Sequence, residues 1–354
     1  MKTTIRTSVF LFFLLFATAP LMFSQEEGAH STQKKEFVAS DFILDHIADS
    51  HEWHILTLKN GHSVAIYLPV ILYTKDSGFS VFSSKRLADG NTYKGFKLLE
   101  EGELKGKIVS VNSEKVADEK NLPLDLSLTK AVVAMFFAAL IGLLLFISMA
   151  RSYKKTGVSA PKGIQSFLEP VILFVRDDIA IPNIGKHKYE KYMPYLLTVF
   201  FFILINNLMG LVPFPPPFGA NVTGNIAVTF VLAFCTFLIT QFSANKNYWR
   251  HIFATPGVPF WLLPIMIPVE IIGIFSKPFA LMIRLFANIT AGHIIVLSLV
   301  CLIFIFESLA VAPVSIVFVI FMDCLELLVA FLQAYVFTLL SALFISLAVQ
   351  EEHH

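Results

Sequence analysis

Glu270-Ile-Ile-Gly-Ile-Phe-Ser-Lys277-Pro-Phe-Ala-Leu-Met-Ile-Arg284-Leu-Phe-Ala-Asn288-Ile-Thr-Ala-Gly-His293 is the stretch whose reading decides the fold. It lies inside an apolar run, 259–306, far longer than the ~20 residues that cross a hydrocarbon core of ~30 Å as a perpendicular helix. A second long run, 311–349, follows it and carries Asp323, Glu326 and Gln333. Excess length means steep tilt, breaks, or helices lying partly along the membrane. Each charged group at the bilayer midplane costs roughly 2.5 to 3.5 kcal/mol on insertion scales, so Glu270, Lys277, Arg284, Glu307, Asp323 and Glu326 need partners, water or a function. Lys277 and Glu307 have the alternative of snorkelling to an interface. Arg284, flanked by long apolar segments, has less scope to escape.

Helical spacing sorts these residues onto faces. Arg284 and Asn288 are four apart, Glu326 and Gln333 seven apart, and Asp323 stands one turn before Glu326, so each of two consecutive helices carries a polar stripe. Packed as a hairpin, the stripes would line a hydrated path. In such a path His293 and Glu326 can carry protons, whereas a guanidinium cannot release its own. Protonatable groups beside a permanent cation point to proton traffic with a barrier.

The rest of the chain fits a polytopic membrane protein. Its 354 residues are 56% hydrophobic and 15% charged, with a formal net charge of +1 and no basic stripe, which leaves a nucleic-acid role unsupported. Residues 131–150 form an uncharged span that ends in Arg151, Lys154, Lys155 and Lys162, which the positive-inside rule places in the cytoplasm. Residues 163–181 carry apolar side chains at helical spacing with Asp177 and Asp178 on the flank, suiting a surface helix that Pro170 could interrupt. Further spans are expected at 192–212 and 225–244, joined by the proline-rich 213–219 turn. The two long runs bring the crossings to five. Cys235, Cys301 and Cys324 lie in apolar stretches without metal or redox spacing and are read as small fillers.

Residues 1–24 have signal-peptide grammar, basic Lys2 and Arg6 before an apolar core, with an uncleaved anchor as the alternative. Residues 25–127 turn soluble in composition. Short β-prone segments at 54–59, 63–68 and 108–111, bounded by turn pairs such as Asn60-Gly61, predict a small β-rich exported domain. His51-x-x-His54 matches no zinc signature, because Glu52 and Trp53 do not supply HExxH spacing, and these histidines are expected at the surface.

The block from Glu270 to His293 resembles the signature of subunit a of F-type ATP synthases. Leu332-Gln333-Ala334-Tyr335-Val336-Phe337, the ending Ser346-Leu-Ala-Val-Gln-Glu-Glu-His and Asn207-Leu-Met-Gly-Leu-Val-Pro213 resemble other parts of that family, and coverage is good from about residue 130 onward. The resemblance implies a stator offering two aqueous half-channels to a rotating c-ring whose subunits each bear a carboxylate. Arg284 matches the family's essential arginine, which attracts the ionised ring carboxylate and prevents a short circuit; a guanidinium, which does not give up its proton, suits that task. Asn288 and Gln333 match polar positions near it, and Glu270, His293 and Glu326 match half-channel positions, with Asp323 on the same path. Many bacterial relatives carry Glu where His293 stands and His where Glu326 stands, an exchange suggesting that the two are neighbours. Gly210 occupies a place where some relatives have aspartate, and the long segment before residue 127 exceeds the family's usual N-terminus.

The expectation is therefore a mainly α polytopic protein with five crossings, the last two long tilted helices forming a hairpin, and a β-rich periplasmic domain. It comprises a signal peptide (1–24), an exported domain (25–127) and a membrane domain (128–354). The resemblance implies a proton-translocating subunit of the bacterial inner membrane, its C-terminus cytoplasmic, with the c-ring, the subunit b peripheral stalk and the lipid bilayer as partners. No cofactor or metal is expected, and no Walker-type loop for nucleotide hydrolysis is present. The rivals are a secondary transporter with a buried Arg-carboxylate site, which predicts internal repeats that the chain lacks, and a structural scaffold, which leaves the intramembrane charges without a return.

Overall fold

In the computed structural model the described residues are 39–57, 63–75, 78–99, 102, 104–111, 117–118, 122–156, 163–212, 215–253, 259–306, 308 and 310–349. The signal-peptide segment, Asn60-Gly61, Lys162, Pro213, Glu307 and the last five residues lie outside them.

A short helix, α1 (Ala39–Ile47), precedes three small β sheets. Strands β1 (Glu52–Thr57) and β2 (Ser63–Tyr67) pair antiparallel, with a register shift between His54 and Leu56. Strand β3 (Pro69–Thr74) pairs on one side with β4 (Gly78–Ser83) and on the other with β9 (Leu124–Asp125). The third sheet is a meander through β5 (Thr92–Tyr93), β6 (Phe96–Leu98), β7 (Ile108–Val111) and β8 (Ala117–Asp118). Alternation along β3 and β4 turns Val70, Leu72 and Phe82 inward against Leu87, Phe96 and Ile108, which is the period-2 pattern of a half-buried sheet. Tyr93 pairs with Phe96 across Lys94-Gly95, both at positive φ, the conformation of a two-residue hairpin turn.

The histidine expectation needs correcting. His51 is buried, and its Nε2 lies 2.9 Å from Asp125 Oδ2, 74 residues away in sequence. Two segments that meet where the β layer joins the first membrane helix explain this burial, and spacing within the sequence could not reveal it. Asp125 also accepts the Ser127 amide at 2.9 Å. Burial pushes the Asp125 carboxyl upward, but hydrogen bonds from His51 and Ser127 outweigh it and hold the group below its ordinary value. A group with a depressed folded pKa stabilises the fold above its unfolded pKa and loses that contribution as pH falls through the folded value. Asp125→Asn is thus expected to lower stability at neutral pH and flatten the acid limb below about pH 4, measured by domain melting against pH.

The membrane portion begins with α2 (Lys130–Thr156), which extends the 131–150 span by two turns. After Gly163, at φ +64°, α3 (Ile164–Phe174) runs through Pro170 into a π-helical turn (Val175–Ala180) and α4 (Ile181–Ile184), with Asp177 and Asp178 exposed on the turn. Helix α5 (Tyr189–Leu211) is followed by α6 (Ile226–Phe242), whose N-cap Asn225 accepts the Ala227 amide, and then by α7 (Lys246–Phe253), set at 101° to α6. Helices α8 (Leu263–Ile305) and α9 (Ala312–Val349) are continuous, α8 passing through Pro268 and Pro278. Four helices are long and apolar enough to cross a membrane, and α6 with α7 makes a fifth candidate. The protein is a mainly helical, polytopic membrane protein. At ~1.5 Å per residue, α8 is ~65 Å long, twice the hydrocarbon thickness, so it must tilt steeply.

Phe200 of α5, Leu281 and Leu285 of α8, and Ala334, Phe337 and Ile345 of α9 form the central core. Small residues Ala330, Ala334, Ser341 and Ala342 on the buried face of α9 allow close helix approach where lipid offers no hydrophobic drive. Tyr195, Thr236 and Ser341 tie α5, α6 and α9 through contacts of 2.6 and 3.3 Å. The final carbonyls of α9, which lack intrahelical donors, accept from Lys188 Nζ and Asn245 Nδ2, each to Val349 at 3.0 Å.

Candidate functional site

Helix α8 presents two faces. Leu281, Met282 and Leu285 are buried in the core, whereas Arg284 and Asn288, which flank that stripe on the helix, are exposed. Arg284 has no ion pair or hydrogen bond among the described residues, so its charge points out of the packed bundle.

Asn288 opens into a cavity of about 20 Å³ lined by Asn207, Leu211, Asn288, Ile289, His293, Glu326, Val329 and Ala330. That volume holds a water molecule, and the four polar side chains supply partners for one. The structure thus brings His293 and Glu326, from two different helices, to one cavity whose open side is one turn from Arg284. Asn207 is fixed there by accepting the Thr223 hydroxyl at 2.6 Å and donating to the Ala330 carbonyl at 3.3 Å. Glu326 lies flat over Gly292: a Cβ built at Gly292 would overlap the carboxyl and come within 3.2 Å of Glu326 Cγ. Glu326 Oε1 is buried without a hydrogen-bond partner among the described residues. Gly210 borders the same space, since its missing Cβ would sit 3.6 Å from His293 Nε2 and 3.5 Å from the Ala220 carbonyl. A carboxylate at that position would meet the imidazole.

The remaining residues are spread along the two helices. Asp323 is partly exposed one turn before Glu326, and Gln333 is buried on α9. Glu270, partly exposed, precedes Arg284 by 14 residues, ~21 Å along a helix, and does not join the His293 cavity. Lys277 lines a separate cavity of about 20 Å³ with Thr240, Gln241, Tyr248 and Phe344, near the opposite end of the bundle. The sequence reading did not single out Asn207, Thr223, Gln241 or Tyr248. A signal existed for Asn207: the Asn206-Asn207 pair is polar inside an otherwise apolar span. No group of three potential metal ligands occurs among the described residues. Of the cysteines, Cys301 is buried and Cys235 and Cys324 are exposed on apolar helices.

Residues 132–346 match the family model described as ATP synthase A chain. The chain belongs to the ATP synthase subunit a family. Among relatives in that family, ATP synthase subunit a of Chloroherpeton thalassium is 52% identical over 236 residues, covering 65% of this chain and 69% of the relative. ATP synthase subunit a of Myxococcus xanthus is 50% identical over 238 residues, covering 65% and 76%. ATP synthase subunit a 2 of Chlorobaculum tepidum is 54% identical over 231 residues, with 63% and 64% covered, so the match spans just under two thirds of that relative. Residues 42–126 match a domain of unknown function. Membership of the subunit a family accounts for the apolar helices and makes ion transport within an ATP synthase the role of this chain.

Proposed function

We propose that this subunit provides two half-channels to the c-ring and that Arg284 is the fixed charge separating them. One observation carries the reading. Two water-sized cavities flank Arg284 along α8, one reached through Asn288 and containing His293 and Glu326, the other containing Lys277, seven residues before Arg284. Neither cavity includes Arg284, whose exposed guanidinium faces away from the core.

On this reading protons enter at the His293–Glu326 cavity, with Asp323 beside it, and pass to a ring carboxylate near Asn288. They leave on the other side of Arg284 along a path that ends near Glu270, while Gln333 helps hold the polar surface on α9. Each charge that crosses gains ~2.3 kcal/mol per 100 mV, which the ring turns into rotation. The c-ring, subunit b and surrounding lipid are the partners. The proposed organisation is a signal peptide at 1–24, an exported domain at 25–127 and a membrane domain at 128–354, with the N-terminal domain outside the inner membrane and the C-terminus in the cytoplasm.

Proton conduction through reconstituted membrane sector tests the inlet. Separate His293→Ala and Glu326→Ala changes are each expected to slow conduction by about 10²-fold and to shift its pH dependence. Unaltered rates and pH profiles in both variants would remove these residues from the path.

A further inference from the structure

Strands β3 and β4 and the strand that leads into α2 share one outward face. Ile71 pairs with Val81 and Tyr73 with Phe79 across the β3–β4 hairpin, and on its other edge Tyr73 pairs with Leu124. The Leu126 amide continues that ladder by donating to the Ile71 carbonyl at 2.9 Å. Paired residues point to the same side of a sheet, and Val70, Leu72 and Phe82 take the other side, in the domain core. The outward face is therefore Ile71, Tyr73, Phe79, Val81, Leu124 and Leu126, with no charge among them. Phe79 is 70% exposed, Val81 60% and Leu124 59%, and the Tyr73 and Phe79 ring centroids are 4.9 Å apart. A contiguous apolar face of this kind marks a protein or membrane interaction site.

Two chain connections tie this face to the membrane boundary. Leu126 stands four residues before Lys130, where α2 begins. There the Lys130 amide donates to the Ser50 carbonyl at 3.0 Å and the Ala131 amide to Asp49 Oδ1 at 3.1 Å, so the domain satisfies amides that have no intrahelical acceptor. On β3, Ile71 stands three residues after Leu68, which is buried with Trp53 in one cluster with Ala134 and Ala138 of α2. Those alanines lie ~6 and ~12 Å along α2 from Lys130, inside the uncharged stretch that crosses the hydrocarbon. Further along, the same helix exposes Phe136, Leu140, Leu143 and Leu144, so apolar surface continues from the sheet to the lipid-facing span. The Tyr73 hydroxyl is the one polar side-chain group on the face, whereas a protein interface carries about one hydrogen bond per 100–200 Å². Lys75, exposed at the hairpin turn, puts an ammonium at the rim, where its stem can cover apolar surface while its head meets phosphate.

We propose that this face rests on the bilayer leaflet on the domain's side, which makes the N-terminal domain an interfacial module with phospholipid as its partner. Phe79, Val81, Leu124 and Leu126 enter the boundary between headgroups and acyl chains, to the depth of about 5–10 Å that apolar interfacial faces reach. Tyr73 sits at headgroup level, the place that amphipathic rings favour, and Lys75 stays among the phosphates. Helix α1 packs against α8, so a domain held on lipid also keeps α1 on the helix that bears Arg284. The assignment depends on α2 as a membrane span and not on the route of the protons.

The test uses the complete ATP synthase in phosphatidylcholine vesicles whose acyl chains carry bromine near the headgroup end. Phe79→Trp and Val81→Trp each add one indole, whose emission is read as the difference from the unmodified complex. Both side chains are more than half exposed, so the larger ring disturbs no core packing. In both variants brominated lipid is expected to reduce the added emission about twofold or more, while iodide on the domain side leaves most of it. Thr92→Trp, at an exposed position of the third sheet, should respond in the opposite sense. Added emission at 79 and 81 that iodide quenches and brominated lipid spares would put the face in water and overturn the proposal. Protection from both quenchers would overturn it in favour of a protein partner, and equal quenching by brominated lipid at Thr92→Trp would remove the assignment to this face.

Discussion

Arg284→Ala is expected to abolish proton-driven ATP synthesis, with a fall of at least about 10²-fold in coupled turnover, the size of effect seen when one preorganised charge is lost from a low-dielectric site. The expectation follows from position. Arg284 is exposed at the flank of the α8 stripe that carries the core residues Leu281 and Leu285, so truncating it opens no cavity in the bundle, and assembly should survive. What is lost is a cation that cannot deprotonate. A ring carboxylate passing it would have no fixed counter-charge, and water-borne protons could move directly between the two flanking cavities. Arg284→Lys sharpens the test: lysine keeps the charge, but desolvation readily shifts its pKa, so it can release a proton and should leave a residual leak. Synthesis, ATP-driven pumping and passive conduction in vesicles provide three readouts. Coupled synthesis at the unmodified rate in Arg284→Ala would end the barrier hypothesis.

The membrane fold was largely legible because lipid leaves few choices. Long apolar runs must become helices that satisfy their own backbones, so the span near 131–150 and the two long C-terminal runs announce themselves by length. Continuity was not legible. Pro268 and Pro278 are each a warning of a break, yet α8 remains continuous through both. The β domain was visible as a class, but its internal order was not: the β3–β9 pairing joins residues about fifty positions apart, and no local pattern encodes such a partner. His51 shows the same limit, since burial against Asp125 depends on a segment 74 residues away.

The polar site divides in the same way. Arg284, His293, Glu326 and Gln333 stood out because charged and polar groups are costly among apolar neighbours. The residues that shape the cavity did not, because glycine carries no such signal. Gly210 and Gly292 act through the atoms that they lack, leaving room for His293 and for Glu326. Their roles require knowing which helices touch.

Gly292→Ala is for that reason expected to be the most damaging single-methyl change on α8. The new Cβ would overlap the Glu326 carboxyl and crowd its Cγ, so the conflict reaches up the side chain and is not confined to a mobile tip. Either Glu326 rotates out of the cavity or α8 and α9 move apart, with overpacking of this kind costing about 1–3 kcal/mol. In both cases the carboxyl leaves its place beside His293, and conduction is expected to fall about tenfold or more. Gly273 on the same helix supplies the control, since a Cβ there would meet nothing within 4 Å. Gly273→Ala should leave conduction unchanged and favour the helix by up to about 1 kcal/mol. Shortening the acid gives the reciprocal test. Glu326→Asp alone withdraws the carboxyl and slows conduction, whereas in the Gly292→Ala background the shorter side chain relieves the overlap, so the double variant should conduct faster than additive losses allow. Additive losses, or a harmless Gly292→Ala, would mean that the position of Glu326 over Gly292 does not limit proton transfer.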